Sequence, residues 1–284
     1  MFERQRSGSV LCPSCGRLVG VNEKQCPFCG RRSPGMFGLN QWLRRLGADM
    51  GFVDAVMGGC VLLYLLMLAT DPQGIRTGGG LMSLLSPSLL SLLRFGASGS
   101  VPVFLLHRWW TLLAAGWLHG SLLHIGFNLY AVRFFAPAIA ELYGPSRMVI
   151  IYSVSSVTGF LLSSTMGLLH LGGAPLTVGA SAPILGLVGA MVYYGRRGGS
   201  RAISSQAWGY VVSVVVFGFF MRRYGIDNYA HLGGFVGGYL AGRLLDPLKP
   251  ERGDHQVAAL ILLGLTAASV LLSLVVRIPP GLVE

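Results

Sequence analysis

Seven apolar stretches, at about 52–70, 110–137, 147–168, 181–195, 206–221, 229–246 and 256–276, decide what this chain can become. The hydrocarbon of a bilayer takes roughly 17–25 helical residues to cross. Inside it every backbone N–H and C=O needs a partner within the protein, and a helix supplies them all locally. The expected fold class is therefore an all-α polytopic membrane protein with seven spans. The fourth and fifth stretches are short, which suits helices enclosed by others or starting below the surface. Only 12% of the residues are charged, against about 25% in soluble domains, so a large soluble core is excluded. The formal net charge of +11 would suggest nucleic acid in a soluble protein. Here the basic residues lie mostly between the apolar stretches and near the N-terminus, so topology explains them and no nucleic-acid partner is expected.

With the N-terminus in the cytoplasm, 16 Lys and Arg residues fall on the cytoplasmic side and 6 on the other. That bias predicts an inside N-terminus and, after seven spans, an outside C-terminus. No signal peptide is expected, because the first 50 residues are polar. "QWLRRLG" at 41–47 reads as a short amphipathic piece on the membrane surface. Residues 71–109 form a long Gly-, Ser- and Leu-rich loop whose "LMSLLSPSLLSLL" is expected to lie along the interface.

"CPSCG" at 12–16 and "CPFCG" at 26–30 place Cys12, Cys15, Cys26 and Cys29 in two knuckles. Four thiolates in this spacing make a closed tetrahedral Zn²⁺ site. A module of about 35 residues cannot bury enough apolar surface alone, so a metal would supply much of its folding energy. The other reading is two disulfides or a redox pair, against which stand a reducing cytosol and the knuckle pattern that both pairs share. The predicted division is a zinc ribbon at 1–35, a linker and interfacial segment at 36–51, a membrane core at 52–246, and a loop with an additional span at 247–284. Zinc ribbons bind proteins, nucleic acids, or nothing beyond themselves; an unknown protein partner is one such role for this one. Cys60, in the first span, reads as a small buried apolar residue.

Polar groups inside a membrane are expensive and point to function. The second stretch carries His119, His124 and Asn128 in "HGSLLHIGFN". The fourth opens "GASAPILG" with Gly179 and Ser181, and the sixth contains "NYAHLGGFVGGYLAG" with His231. Singly, the serine could be a helix cap, and the histidines could be packing residues, proton carriers or metal ligands. Together they suit acyl transfer, in which a serine needs a base and the developing oxyanion needs donors. His124 and Asn128 are four apart and share a helix face. Asp227 is the nearest acid to His231, four residues earlier, so a Ser–His dyad is expected and not a triad. Gly186, Gly189, Gly234, Gly238 and Gly242 would let the two helices approach closely.

The set resembles the rhomboid family of intramembrane serine proteases over about residues 52–246. The likeness rests on Arg108-Trp109-Trp110, on His119, His124 and Asn128, on Gly179-Ala180-Ser181, and on "AHLGG" around His231. The resemblance implies a six-helix core plus one C-terminal helix. It implies Ser181 as nucleophile, His231 as base, and His124, Asn128 and the Ser181 amide as the oxyanion hole. His119 would be a supporting residue near the cavity, and catalysis would need no cofactor. The implied substrates are transmembrane proteins within the lipid bilayer, and the expected location is a bacterial inner membrane. The family's usual G-x-S-G reads here Gly179-Ala180-Ser181-Ala182. Two other readings remain at this point: a catalytically silent client-binding protein, which Ala182 would favour, and a transporter or proton channel built on the membrane histidines.

Overall fold

The computed structural model describes residues 8–12, 14–34, 49–78, 80, 83–220, 225–249 and 251–279. At residues 215, 217 and 219 only the backbone is described. The "QWLRRLG" segment and the linker up to residue 48 lie outside these residues.

The chain opens with a small antiparallel hairpin. Strand β1 (Ser9–Leu11) pairs with β2 (Leu18–Gly20), Val10 facing Val19. Its core is Val10, Val19 and Val21 with Cys12 and Cys26. Seven long helices follow among the described residues: α1 (Phe52–Thr70), α2 (Leu122–Tyr143), α3 (Pro145–Leu168), α4 (Ser181–Arg197), α5 (Arg201–Phe220), α6 (Asn228–Leu245) and α7 (Gly253–Val275). Four of them, α1, α2, α3 and α7, are long and apolar enough to cross a membrane by themselves. Helix α4 is buried along most of its length. Its shortness therefore fits a helix screened from lipid by its neighbours. Cys60 is fully buried in the main core, as its surroundings led one to expect.

The second apolar stretch is not one helix. Residues 110–121 break into a turn of helix at Thr111–Ala114, a 3₁₀ turn at Ala115–Trp117 and extended backbone at Leu118. Helix α2 starts only at Leu122, where the Ser121 hydroxyl accepts the His124 amide. Leu112, Ala114, Ala115 and Leu118 are apolar because they are buried in protein, not because they meet lipid. In the loop before them, Leu89–Phe95 is helical, capped by Ser88 and ended by Gly96. Seven residues cannot cross a bilayer.

The tightest helix contact joins α4 and α6, and glycine makes it possible. Gly238 sits directly on the backbone of Gly186, and Gly234 on the carbonyl of Ala182. A Cβ on Gly242 would come within 3.1 Å of Ala190 Cα. Helix α3 closes the third side, with Gly233 against the Thr158 carbonyl. At the end of the bundle remote from Ser181, Arg147 Nη1 donates to the carbonyls of Leu245, Asp246 and Lys249. There Glu251 accepts the Ser146 and Arg147 amides at the start of α3. Burial pushes the Glu251 carboxyl up, and those two amides oppose the shift.

Candidate functional site

Ser181 is the first residue of α4. Ala180 before it is helical at φ −68°, and its carbonyl already accepts the Ile184 amide. Gly179 has φ +135°, a conformation that side chains disfavour. A Cβ there would also come within 2.6 Å of His124 Nε2. Only glycine lets the chain turn into α4 with His124 lying against it.

His231 sits in the first turn of α6. Asp227 caps that helix, its Oδ1 accepting the Ala230 amide at 3.0 Å while Oδ2 accepts the Ser163 hydroxyl from α3. The glycine contact between α4 and α6 then brings His231 Nε2 to 2.8 Å from Ser181 Oγ. His231 Nδ1 is buried with no partner among the described residues, so Asp227 orients the helix and does not bond the ring.

His124 and Asn128 come from α2. The Gly120 amide donates to His124 Nδ1 at 3.3 Å. In a neutral imidazole that leaves the proton on Nε2, the nitrogen that faces Gly179. Asn128 is 5% exposed, and its Nδ2 donates to the His124 carbonyl at 2.8 Å. His119 is fully buried, its ring edge-on to His124 with centroids 5.2 Å apart. Neither of its nitrogens has a partner among the described residues. The histidines form no metal-ligand group with other His, Cys, Asp or Glu among those residues.

Ala182, where the family pattern has glycine, has its methyl against α3. A Cβ on Gly159 of α3 would meet that methyl at 2.9 Å, and Ala182 packs in a buried cluster with Phe160 and Ala230. Two further features were not visible in the sequence. The Asp227–Ser163 bond joins residues 64 apart, and no local pattern encodes it. The Gly179 amide donates to the Ala115 carbonyl, a backbone contact that no side chain announces.

The cysteines form a second centre in the hairpin. The four Sγ atoms lie within 4.8 Å of one another, with Cys12–Cys29 and Cys15–Cys26 both at 3.7 Å. A tetrahedral thiolate site with metal–sulfur bonds of about 2.3 Å needs sulfurs roughly 3.8 Å apart, so the set fits a metal ion. The two knuckles are built alike: Gly16 and Gly30 amides donate to the Cys12 and Cys26 carbonyls. The Arg31 amide favours the Cys29 thiolate and pulls it down to about 7. At Cys15 the Arg17 amide acts in the same sense, but desolvation and the three neighbouring thiols outweigh it and push the thiol up to about 12. Four thiols competing for protons is the state a divalent cation would end, since bound thiols are deprotonated.

The rhomboid domain family model matches residues 106–247. Rhomboid protease GluP of Bacillus subtilis (strain 168) is 29% identical over 163 residues, covering 56% of this chain and 30% of that protein. RHOMBOID-like protein 1 of Arabidopsis thaliana is 31% identical over 174 residues, covering 60% and 43%. Inactive RHOMBOID-like protein 8 of the same plant is 29% identical over 156 residues, covering 54% and 43%. The chain thus spans between 30% and 43% of the length of these relatives.

Proposed function

The chain belongs to the rhomboid family, and on that premise we propose that it is an intramembrane serine endopeptidase acting on transmembrane proteins. The observation that carries the reading is the 2.8 Å approach of His231 Nε2 to Ser181 Oγ. His231 takes the hydroxyl proton as Ser181 Oγ attacks the scissile carbonyl carbon. The carbonyl oxygen becomes an oxyanion and is met by the Ser181 amide, by His124 Nε2–H and by Asn128 Nδ2–H. Collapse breaks the C–N bond, and His231 returns its proton to the leaving amine. Water then attacks the acyl-serine, again losing a proton to His231; the C–Oγ bond breaks, His231 returns the proton to Ser181 Oγ, and the acid is released. For Asn128 to serve, its Nδ2 must reach the oxyanion with the hydrogen not engaged by the His124 carbonyl. His119 supports the ring of His124 by edge-on packing.

The same proposal assigns zinc to Cys12, Cys15, Cys26 and Cys29, in a module at 1–35 set off by the linker at 36–51 from a protease core at 52–246. The loop and added helix are assigned to 247–284. Zinc supplies folding energy to the module, and the reaction above draws on none. The N-terminus is assigned to the cytoplasm of a bacterial inner membrane. Against the silent client-binding alternative, which rests on Ala182, both dyad residues are present and in contact. A fluorophosphonate probe should label the purified wild type and not Ser181→Ala. Equal labelling of both, or none of either alongside no cleavage of a single-pass substrate, would remove the protease reading.

A further inference from the structure

Residues 174–179 carry the chain into Ser181, and five backbone hydrogen bonds hold them to the segment at 98–115. Ser98 and Thr177 exchange both bonds, N–H to C=O, at 3.0 and 2.7 Å. The Ser100 and Val101 amides donate to the Ala174 and Pro175 carbonyls, and the Gly179 amide donates to Ala115. Gly99, at φ +126°, has the Pro175 carbonyl where a Cβ would be. The two segments lie backbone to backbone.

The opposite side of the bracing segment is fastened to α7. Arg108 is 1% exposed; Nη1 donates to the Leu93 carbonyl at 2.7 Å and Nη2 to the Ser273 carbonyl at 2.8 Å. Ser273 lies in the last turn of α7, where carbonyls have no partner inside the helix and a cation is favoured. Trp110 Nε1 donates to Ser273 Oγ at 2.9 Å, and that hydroxyl donates onward to the Ser269 carbonyl. Gly96 packs on the same residue, for a Cβ there would come within 2.7 Å of Ser273 Oγ.

We propose that Ser273 is a positioning residue: through Arg108 and Trp110, α7 fixes the 96–115 segment and thereby the approach of residues 174–179 to Ser181. The inference rests on the Ser181–His231 reading. It assigns a catalytic purpose to a helix outside the stretch matched by the family model. The alternative is a helix that only anchors the protein in lipid, for which the Ser273 hydroxyl would be irrelevant to Ser181.

The test is the rate of fluorophosphonate labelling against probe concentration in purified full-length protein, below the measured melting temperature of each variant. Ser273→Ala should lower the maximal rate by about threefold to tenfold, the worth of one net hydrogen bond, and leave the half-saturating concentration unchanged. Trp110→Phe should do the same, and the double variant should be no slower than Ser273→Ala, because each single variant already removes the Trp110–Ser273 bond that the two share. Leu271→Ala, at a residue 63% exposed on the same helix, should label like the wild type. Wild-type labelling of Ser273→Ala, losses that multiply in the double variant, or an equal loss in Leu271→Ala would each overturn the positioning role. Wild-type protein that shows no Ser181-dependent labelling would instead overturn the dyad reading beneath it.

Discussion

The cysteine hairpin and the α4–α6 helix pair both hold reactive side chains a few ångströms apart, and they do it by opposite means. In the hairpin, sulfurs 3.7 Å apart are surrounded by a core of three valines and parts of two cysteines, with Leu11, Leu18 and Phe28 exposed. Without an ion little opposes the entropy of the unfolded chain. In the helix pair, Ser181 and His231 are brought together by backbone lying on backbone at Gly186, Gly234 and Gly238, within a core reaching from Phe52 to Ala259. One centre is a set of thiols that a metal ion would hold, and the other is set by helix packing alone. Which perturbation disables which centre is therefore predictable.

The largest effect on cleavage should come from the pair itself. Ser181→Ala and His231→Ala should each abolish turnover of a single-pass substrate, and the double variant should be little worse, because the two groups act as a unit. Ribbon metal content should be unchanged in all three. Normal turnover by purified Ser181→Ala would break the assignment.

Next in size is a blow to the packing that builds the site. A side chain at Gly238 would overlap the Gly186 backbone, so Gly238→Val should push α4 from α6 and cost about 1–3 kcal/mol by overpacking. Probe labelling should fall with the melting temperature. Gly209 in α5 has open space around it, so Gly209→Ala should leave both readings at wild-type values. Equal tolerance at the two positions would mean that the close approach does not hold Ser181 to His231.

Smaller losses are expected from His124→Ala and Asn128→Ala. One oxyanion donor is worth on the order of 10²–10³ in rate in soluble serine proteases. The loss here should be less, since the remaining donors share the charge. Turnover should drop more than substrate binding, because the donors act on an oxygen charged only in the transition state. Weakened binding at unchanged turnover in both variants would make them substrate-positioning residues.

These predictions draw unevenly on what the sequence displays. Cysteine spacing is a local pattern, and the Sγ cluster follows from it directly. Hydropathy marks the long helices because lipid selects apolar side chains, and the Ser181, His231 and His124 motifs sit in apolar stretches where polar groups are otherwise costly. Hydropathy fails at 110–121, since burial in protein and burial in lipid select the same side chains. It also fails for Ser273, a small polar residue in an apolar helix that looks like packing until Arg108 and Trp110, more than 160 residues away in sequence, are seen to bond to it. Asp227 is a similar case: its distance from His231 suggested that it was no triad member, and its bond to Ser163 gives it a different task.

The smallest effect on cleavage should follow removal of the hairpin, and this is where the two centres can be told apart most sharply. Chelation or Cys12→Ser should unfold the hairpin, because the ion supplies what its few buried valines cannot. The core has its own packing, and among the described residues the Arg31 guanidinium lies where a Cβ on Gly253, at the start of α7, would be. That contact is at the end of α7 remote from Ser273, which sits in the last turn, about 20 residues along at roughly 1.5 Å per residue. A loss there should not reach the segment that braces Ser181. A protein starting near Met36 should therefore cleave a single-pass substrate in detergent at close to the full-length rate, while its zinc content falls to background. Metal content, melting temperature and cleavage measured side by side in the two proteins decide the matter. A truncated enzyme that melts like the full-length core but has lost its cleavage would make the hairpin part of the catalytic assembly and end that separation.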